Sequence, residues 1–338
     1  VKARIALDAR LTRQLSVGMQ TYVRELAVRL PHVAPEFEFM AFTDGGNFGW
    51  SEQVRLPLAI RKGKPALTHL MSQYGPVFAP RPYVVTIHDL IHLLFAANFK
   101  SKVGPYYRSA VRFAASRASR VITDDAKTVG DLKRFLGVPR ERVRVIPLGV
   151  DDRFLAPIEP RRSGRPYFFY AGNHREHKDL RTLFEAWSAL PDDLAVDLLL
   201  TGEDDVNAAQ YARPNRKVVM LGTLSREALA EYYAGAVALV HPALREGFGL
   251  PMLEAMAAGC PVIACGDALP GVLHGAALTF APRDAPDASA AMRSMLADQG
   301  LRMRLVNEGR ARAGTLTWDR CARATADVYK EVLEESNR

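Results

Sequence analysis

The chain has 338 residues, 48% of them hydrophobic and 24% charged, with a net charge of +8. That length exceeds one ordinary core and that balance excludes a disordered chain, so two globular domains are expected. Three cysteines without a Cys-x-x-Cys spacing argue against a disulfide framework or a zinc site and for a reducing cytoplasm.

The first half opens with Arg4–Asp8, a short apolar run that reads as a buried strand. A loop carrying Gly18 follows, then a helix over Met19–Leu30 with Tyr22, Val23, Leu26 and Leu30 at helical spacing. Phe37–Phe42 and Tyr83–Ile87 read as strands, Pro105–Arg120 as a basic amphipathic helix, and Val121–Thr123 and Arg142–Pro147 as strands. Residues 156–166, rich in Pro, Gly and charge, read as a linker. Beyond it, Tyr167–Ala171, Val196–Leu200, Val218–Leu221, Ala236–Val240 and Val262–Ala264 read as strands. Between them, Leu180, Leu183, Phe184 and Trp187 form a helical stripe, and Ser225 caps a helix carrying Leu229, Tyr232 and Tyr233. Trp318–Leu333 is a last helix. No run approaches the roughly 20 apolar residues of a bilayer span, and the start is read as lacking a signal peptide.

Strands alternating with helices predict α/β architecture with parallel sheets. The expected division is a first domain over 1–155, the linker, a second domain over 167–317, and a helix over 318–338 that returns to the first. Two doubly wound domains facing each other would enclose a cleft, with ligands beyond the carboxyl ends of the strands.

The most informative segment is Glu246-Gly-Phe-Gly-Leu-Pro-Met-Leu-Glu254. It follows a strand and begins a helix; Pro251 suits the first turn, and Gly259 with Pro261 stops the helix. Free amides at a helix start attract phosphate, and Gly247 and Gly249 allow close approach. A glutamate beside phosphate needs another partner, and sugar or ribose hydroxyls donate well to carboxylates. An ordinary strand-loop-helix with two solvent-facing glutamates fits these residues equally well.

The segment resembles the Glu-x7-Glu signature of glycosyltransferase family 4, retaining enzymes of the GT-B fold, and the match extends through Val262. Gly18–Leu26, Val84–Leu90, Val121–Leu136, Val145–Asp151, Tyr170–Leu180 and Trp318–Val332 resemble that family too, so the likeness covers nearly the whole chain. It implies two Rossmann-like domains, with the donor nucleotide in the second. It also implies that Glu254 holds the ribose hydroxyls, that Glu246 lies near the donor sugar and its phosphate, and that the amides of Phe248, Gly249, Leu250 and Met252 around Pro251 meet the sugar and diphosphate.

Lys178 lies at the first helix start of the second half, where a cation neutralises a departing diphosphate. The family's usual Arg-Lys pair is His177-Lys178 here, and Arg175 is the candidate second cation. His88, at the end of a strand, is implied to touch the donor sugar, with Asp89 and His92 on the acceptor side. Gly18 is expected against the phosphates or the acceptor. Gly271 stands where many relatives have Glu. No Asp-x-Asp motif occurs, so neither a metal nor another cofactor is expected; the four Asp-Asp pairs read as solvated or capping residues.

Residues 1–150 hold 23 Lys/Arg against 11 Asp/Glu, whereas the remainder holds 22 against 26. Lys100, Lys102, Arg108, Arg112, Arg117 and Arg120 interleave with Tyr106, Tyr107 and Phe113. Any single arginine here fits a solvated helix face equally well, but the summed charge points to an anionic membrane face rather than nucleic acid, on the inner side of the cytoplasmic membrane, where a lipid-diphosphate-linked glycan would be the acceptor. The implied activity is transfer of a hexose from a nucleotide diphosphate sugar, GDP-mannose first, to a glycan or lipid-linked acceptor in surface-polysaccharide assembly. A GT-B-fold sugar-nucleotide epimerase and a non-catalytic nucleotide-binding module are the alternatives.

Overall fold

The computed structural model describes residues 2–12, 15–45, 51–95, 103–161, 163–204 and 207–338. It forms two compact units, Val1–Gly149 with Thr317–Arg338, and Val150–Leu316.

The first unit is built on β1 (Ala3–Asp8), β2 (Phe37–Phe42), β3 (Leu67–Leu70), β4 (Tyr83–Thr86), β5 (Arg120–Thr123) and β6 (Val143–Val145). All pairings are parallel, in the order β2-β1-β3-β4-β5-β6. β3, β4 and β5 are buried throughout, as expected of strands covered on both faces. The closing helix, Trp318–Ser336, packs on the helix Val17–Val33. Gly149 permits that return, because a Cβ there would lie 2.1 Å from the Trp318 nitrogen. Tyr329 Oη bonds His69 Nδ1 at 2.6 Å, and His69 Nε2 bonds Thr86 Oγ1 at 2.8 Å. Glu331 receives Arg120 Nε at 3.0 Å and Arg144 Nε at 2.9 Å.

The second unit contains β7 (Tyr167–Tyr170), β8 (Asp197–Leu200), β9 (Val218–Met220), β10 (Ala238–His241), β11 (Val262–Cys265) and β12 (Leu278–Phe280). They are again parallel, in the order β12-β11-β10-β7-β8-β9. The strand order reverses between β7 and β10, and this switch point is where doubly wound sheets take ligands. Below it lies a core of Phe168, Leu183, Trp187, Leu198, Val240 and Met292. The helix Leu180–Ser188 packs on Ala285–Ala297, and Leu250–Ala257 packs on Gln299–Thr315. All three cysteines are buried and unpaired.

Several sequence expectations change. The helix expected over Pro105–Arg120 runs from Val103 to Arg117 with a π-helical stretch at Tyr107–Val111, and Arg120 belongs to β5. Extended backbone at Ala118 ends the helix there. Gly18 is not in a loop: Ser16 accepts from the Met19 amide and starts the helix at Val17. The division between units falls at Gly149/Val150 rather than at 156–166. Phe154 is buried against Tyr233, their rings 6.0 Å apart, and the Arg161 amide bonds the Glu231 carbonyl, which ties this stretch to the second unit.

Candidate active site

The two strands flanking the switch point each deliver one half of the site. After β7 the chain turns through a short 3-10 segment, Glu176–Lys178, before the helix that starts at Leu180. Lys178 therefore sits ahead of the helix rather than in its first turn. After β10 comes the loop that carries Glu246. The Leu244 amide bonds the His177 carbonyl at 2.9 Å and joins the two loops.

Lys178 Nζ and His241 Nε2 both contact Glu246 Oε1, the latter at 2.6 Å. Burial opposes ionisation of Glu246, but the Lys178 charge and the His241 hydrogen bond outweigh it and hold the carboxyl well below the usual range. Glu246 is thus ionised throughout the neutral range.

Glu254 lies one turn into the helix Leu250–Ala257 and has the opposite environment. Burial raises its pKa to about 7, against the pull of Arg226, whose Nη1 bonds Oε1 at 3.0 Å. Asp151, 3.9 Å from the same guanidinium, adds to the rise. Asp151 also caps the short helix Asp152–Leu155 through the Arg153 amide.

Gly249 caps the helix start in a left-handed conformation, φ 76°, which a side chain would strain. Its carbonyl takes the Met252 amide at 2.9 Å, and Pro251 has no N–H. Among the described residues the amides of Gly247, Phe248, Gly249 and Leu250 make no hydrogen bond, whereas that of Met252 is taken up within the helix start. The Phe248 side chain is buried. Arg175 is exposed on the surface, while the His177 ring is buried. Gly271 begins a 3-10 turn, Gly271–Leu273. Among the described residues no group of three or more His, Cys, Asp or Glu side chains is placed to hold a metal ion.

In the first unit, His88 follows β4 and Asp124 follows β5. His88 Nδ1 bonds Asp124 Oδ2 at 2.7 Å, and the imidazole meets Tyr22 edge-on, centroids 4.7 Å apart. Burial opposes the imidazolium, but Asp124 prevails and the His88 pKa is raised. Asp89 Oδ1 accepts from the Ile91 amide at 3.0 Å, a turn-forming role. His92 stacks on Tyr107, centroids 5.5 Å apart.

The sequence reading singles out neither His241 nor Arg226. The Asp-Asp pairs read as solvated or capping residues; Asp125 is a cap, its carboxylate taking the Lys127 amide, whereas Asp124 is buried and bonded to His88. One signal was available: an arginine in the first turn of a helix opposes the helix dipole, so Arg226 calls for a carboxylate partner.

The basic surface also resolves into parts. Arg120 is buried and bonded to Glu331 and Glu335, and Tyr107 is in the core, so neither belongs to the exposed face. Arg108, Arg112 and Arg117 are exposed. Phe78, 65% exposed, meets Phe113, 38% exposed, with centroids 5.6 Å apart, and Arg117 Cζ lies 5.3 Å from the Phe113 ring centre. Lys100 and Lys102 lie outside the described residues. Among the described residues no helix is long and apolar enough to cross a membrane.

Comparison with known proteins converges on one family. The model for "Glycosyltransferase Family 4" matches residues 24–154, and that for "Glycosyl transferases group 1" matches residues 151–312. The chain is 28% identical over 292 residues to O-antigen chain mannosyltransferase B of Escherichia coli, covering 80% of this chain and 76% of that protein. It is 28% identical over 302 residues to D-inositol 3-phosphate glycosyltransferase of Xylanimonas cellulosilytica, covering 78% and 70%. Sucrose-phosphate synthase from Thermosynechococcus elongatus superposes with a TM-score of 0.75 at 20% identity, covering 99% of this chain and 100% of that one. With two six-stranded parallel sheets in the GT-B pattern, a family 4 domain and a group 1 domain, the chain belongs to the glycosyltransferases.

Proposed function

We propose that this glycosyltransferase moves mannose, with retention at the anomeric carbon, from GDP-mannose to a glycan or lipid-diphosphate-linked acceptor in surface-polysaccharide assembly. What supports the donor site is the contact of Lys178 with Glu246 at the switch point, beside the helix start at Gly249–Leu250, with Glu254 one turn beyond. Its sister observation is the likeness to a named O-antigen mannosyltransferase.

The chemistry follows from charge. As the bond from sugar to phosphate breaks, the sugar gains oxocarbenium character and the diphosphate gains negative charge. In this reading Lys178 and the amides supply the counter-charge, so no metal is required. Glu254 accepts the ribose hydroxyls and Glu246 faces the transferred sugar. His88, held by Asp124, is the candidate catalytic group of the first unit. The acceptor is assigned to the first unit, where a cavity of about 500 Å³ is lined by Arg10, Thr43, Asp44, Glu52 and Arg55. The exposed Phe78–Phe113 pair beside Arg117 supports peripheral contact with an anionic membrane.

The test is a thermal-shift screen against GDP-, UDP-, dTDP- and ADP-sugars in the presence of EDTA. A ligand at 100 times its Kd stabilises by about 2.7 kcal/mol, so GDP-mannose should raise Tm by several degrees. A Tm unmoved by every donor contradicts the donor site, a shift abolished by EDTA contradicts metal independence, and a preference for another base contradicts GDP-mannose.

A further inference from the structure

Glu246 has two carboxylate oxygens, and both of its hydrogen bonds fall on one. Lys178 Nζ and His241 Nε2 meet at Oε1, and Oε2 has no hydrogen-bond partner among the described residues. The two donors differ in kind. Lys178 is a point charge on a flexible stem, and an incoming diphosphate competes for it. His241 is a rigid ring at the carboxyl end of β10, 0% exposed, stacked at 17° on Tyr170 of the neighbouring strand β7.

His241 is also chemically costly at its position. Its Nδ1 is buried and without a hydrogen-bond partner among the described residues, and an orphaned buried nitrogen is destabilising. An apolar side chain would fill the same space without that penalty. Among the described residues the one hydrogen bond the imidazole makes is the one to Glu246.

We infer that His241 is a positioning residue for the transfer reaction: it keeps Oε1 of Glu246 when Lys178 turns to the diphosphate, and so holds Oε2 toward the hydroxyls of the transferred sugar. This rests on the donor-site reading above. Lys178 is then the exchangeable partner of Glu246 and His241 the fixed one. Replacing Lys178 weakens the diphosphate and the sugar together, whereas replacing His241 weakens the sugar alone.

The test compares affinities for a nucleotide sugar and its bare nucleotide. GDP-mannose and GDP, with UDP-glucose and UDP alongside, are titrated calorimetrically into the wild-type chain, His241→Leu and His241→Gln. Loss of one charged hydrogen bond should weaken the sugar nucleotide by about tenfold or more in His241→Leu. The bare nucleotide should change by less than about twofold, the scatter of independent sites. His241→Gln, whose amide nitrogen replaces Nε2, should recover most of the loss. His241→Asn, too short to reach Glu246, stands in if the leucine variant does not fold. Equal weakening of both ligands, no weakening of either, or failure of glutamine to rescue overturns the inference. Absence of all nucleotide binding in the wild type overturns the donor-site reading, and this inference with it.

Discussion

Glu246 and Glu254 share one motif, yet their surroundings drive their protonation in opposite directions. Glu254 is buried and Glu246 largely so, but Glu246 has an ammonium and an imidazole on one oxygen, whereas Glu254 shares one guanidinium with Asp151. Glu254, with its pKa raised from 4.5 to about 7 by burial, holds a proton in the folded chain that the unfolded chain gives up at lower pH. Stability therefore falls as pH rises from about 4.5 to 7, by on the order of 3 kcal/mol, and is level above that window. Glu254→Gln should flatten this slope in urea denaturation at pH 5 to 8; an unchanged slope would show that another group titrates. Glu246 and Glu254 stand out in the sequence because their spacing matches a motif, and Lys178 because it stands at a helix start in the place of a family pair. Arg226 and His241 do not, because each acquires its meaning from a carboxylate brought to it by folding.

At the scale of elements, legibility followed side-chain size. The apolar runs of β1, β4, β7, β10 and β11 announce themselves, whereas polar residues interrupt β3 (Thr68, His69) and β12 (Thr279). The helix Gln299–Thr315 escaped notice because it buries Leu305, Gly309 and Ala313, and small residues leave no apolar stripe. A Cβ on Gly309 would come 3.0 Å from the Met256 side chain, so close packing there depends on the missing carbon. The closing helix Trp318–Ser336 was readable from Trp318 to Leu333, but its polar anchors were not. His69 is buried with its pKa lowered to about 3, chiefly by burial, so its neutral ring needs both nitrogens satisfied, by Thr86 and Tyr329. Tyr329→Phe should therefore cost about 1–3 kcal/mol, the range for a buried group left unpaired. Denaturant unfolding checks this, and a loss within about 0.5 kcal/mol would mean the bond contributes little.

Across the whole molecule, the sequence located both sheets and the switch-point motif but not where the basic charge goes. Part of it is internal: Arg120 and Arg144 hold the closing helix through Glu331, and Arg10 is buried against Asp8 and Glu52. What remains outward includes Arg108, Arg112 and Arg117 beside Phe78 and Phe113. If this face meets an anionic bilayer, Arg108→Glu, Arg112→Glu and Arg117→Glu together should abolish sedimentation with phosphatidylserine vesicles, since each cation near such a surface is worth about 1 kcal/mol. Equal binding of the wild type to neutral and anionic vesicles would remove the electrostatic basis of the proposal. The account's centre is nonetheless the donor site, and the most direct measurement alters the ligand and the protein together. GDP and 2′,3′-dideoxy-GDP are titrated into the wild-type chain and into Glu254→Ala. The account predicts that the wild type prefers GDP by about tenfold or more, the contribution of a charged hydrogen bond, and that Glu254→Ala binds the two alike. A wild type indifferent to the ribose hydroxyls, or a Glu254→Ala variant that still discriminates fully, would contradict it.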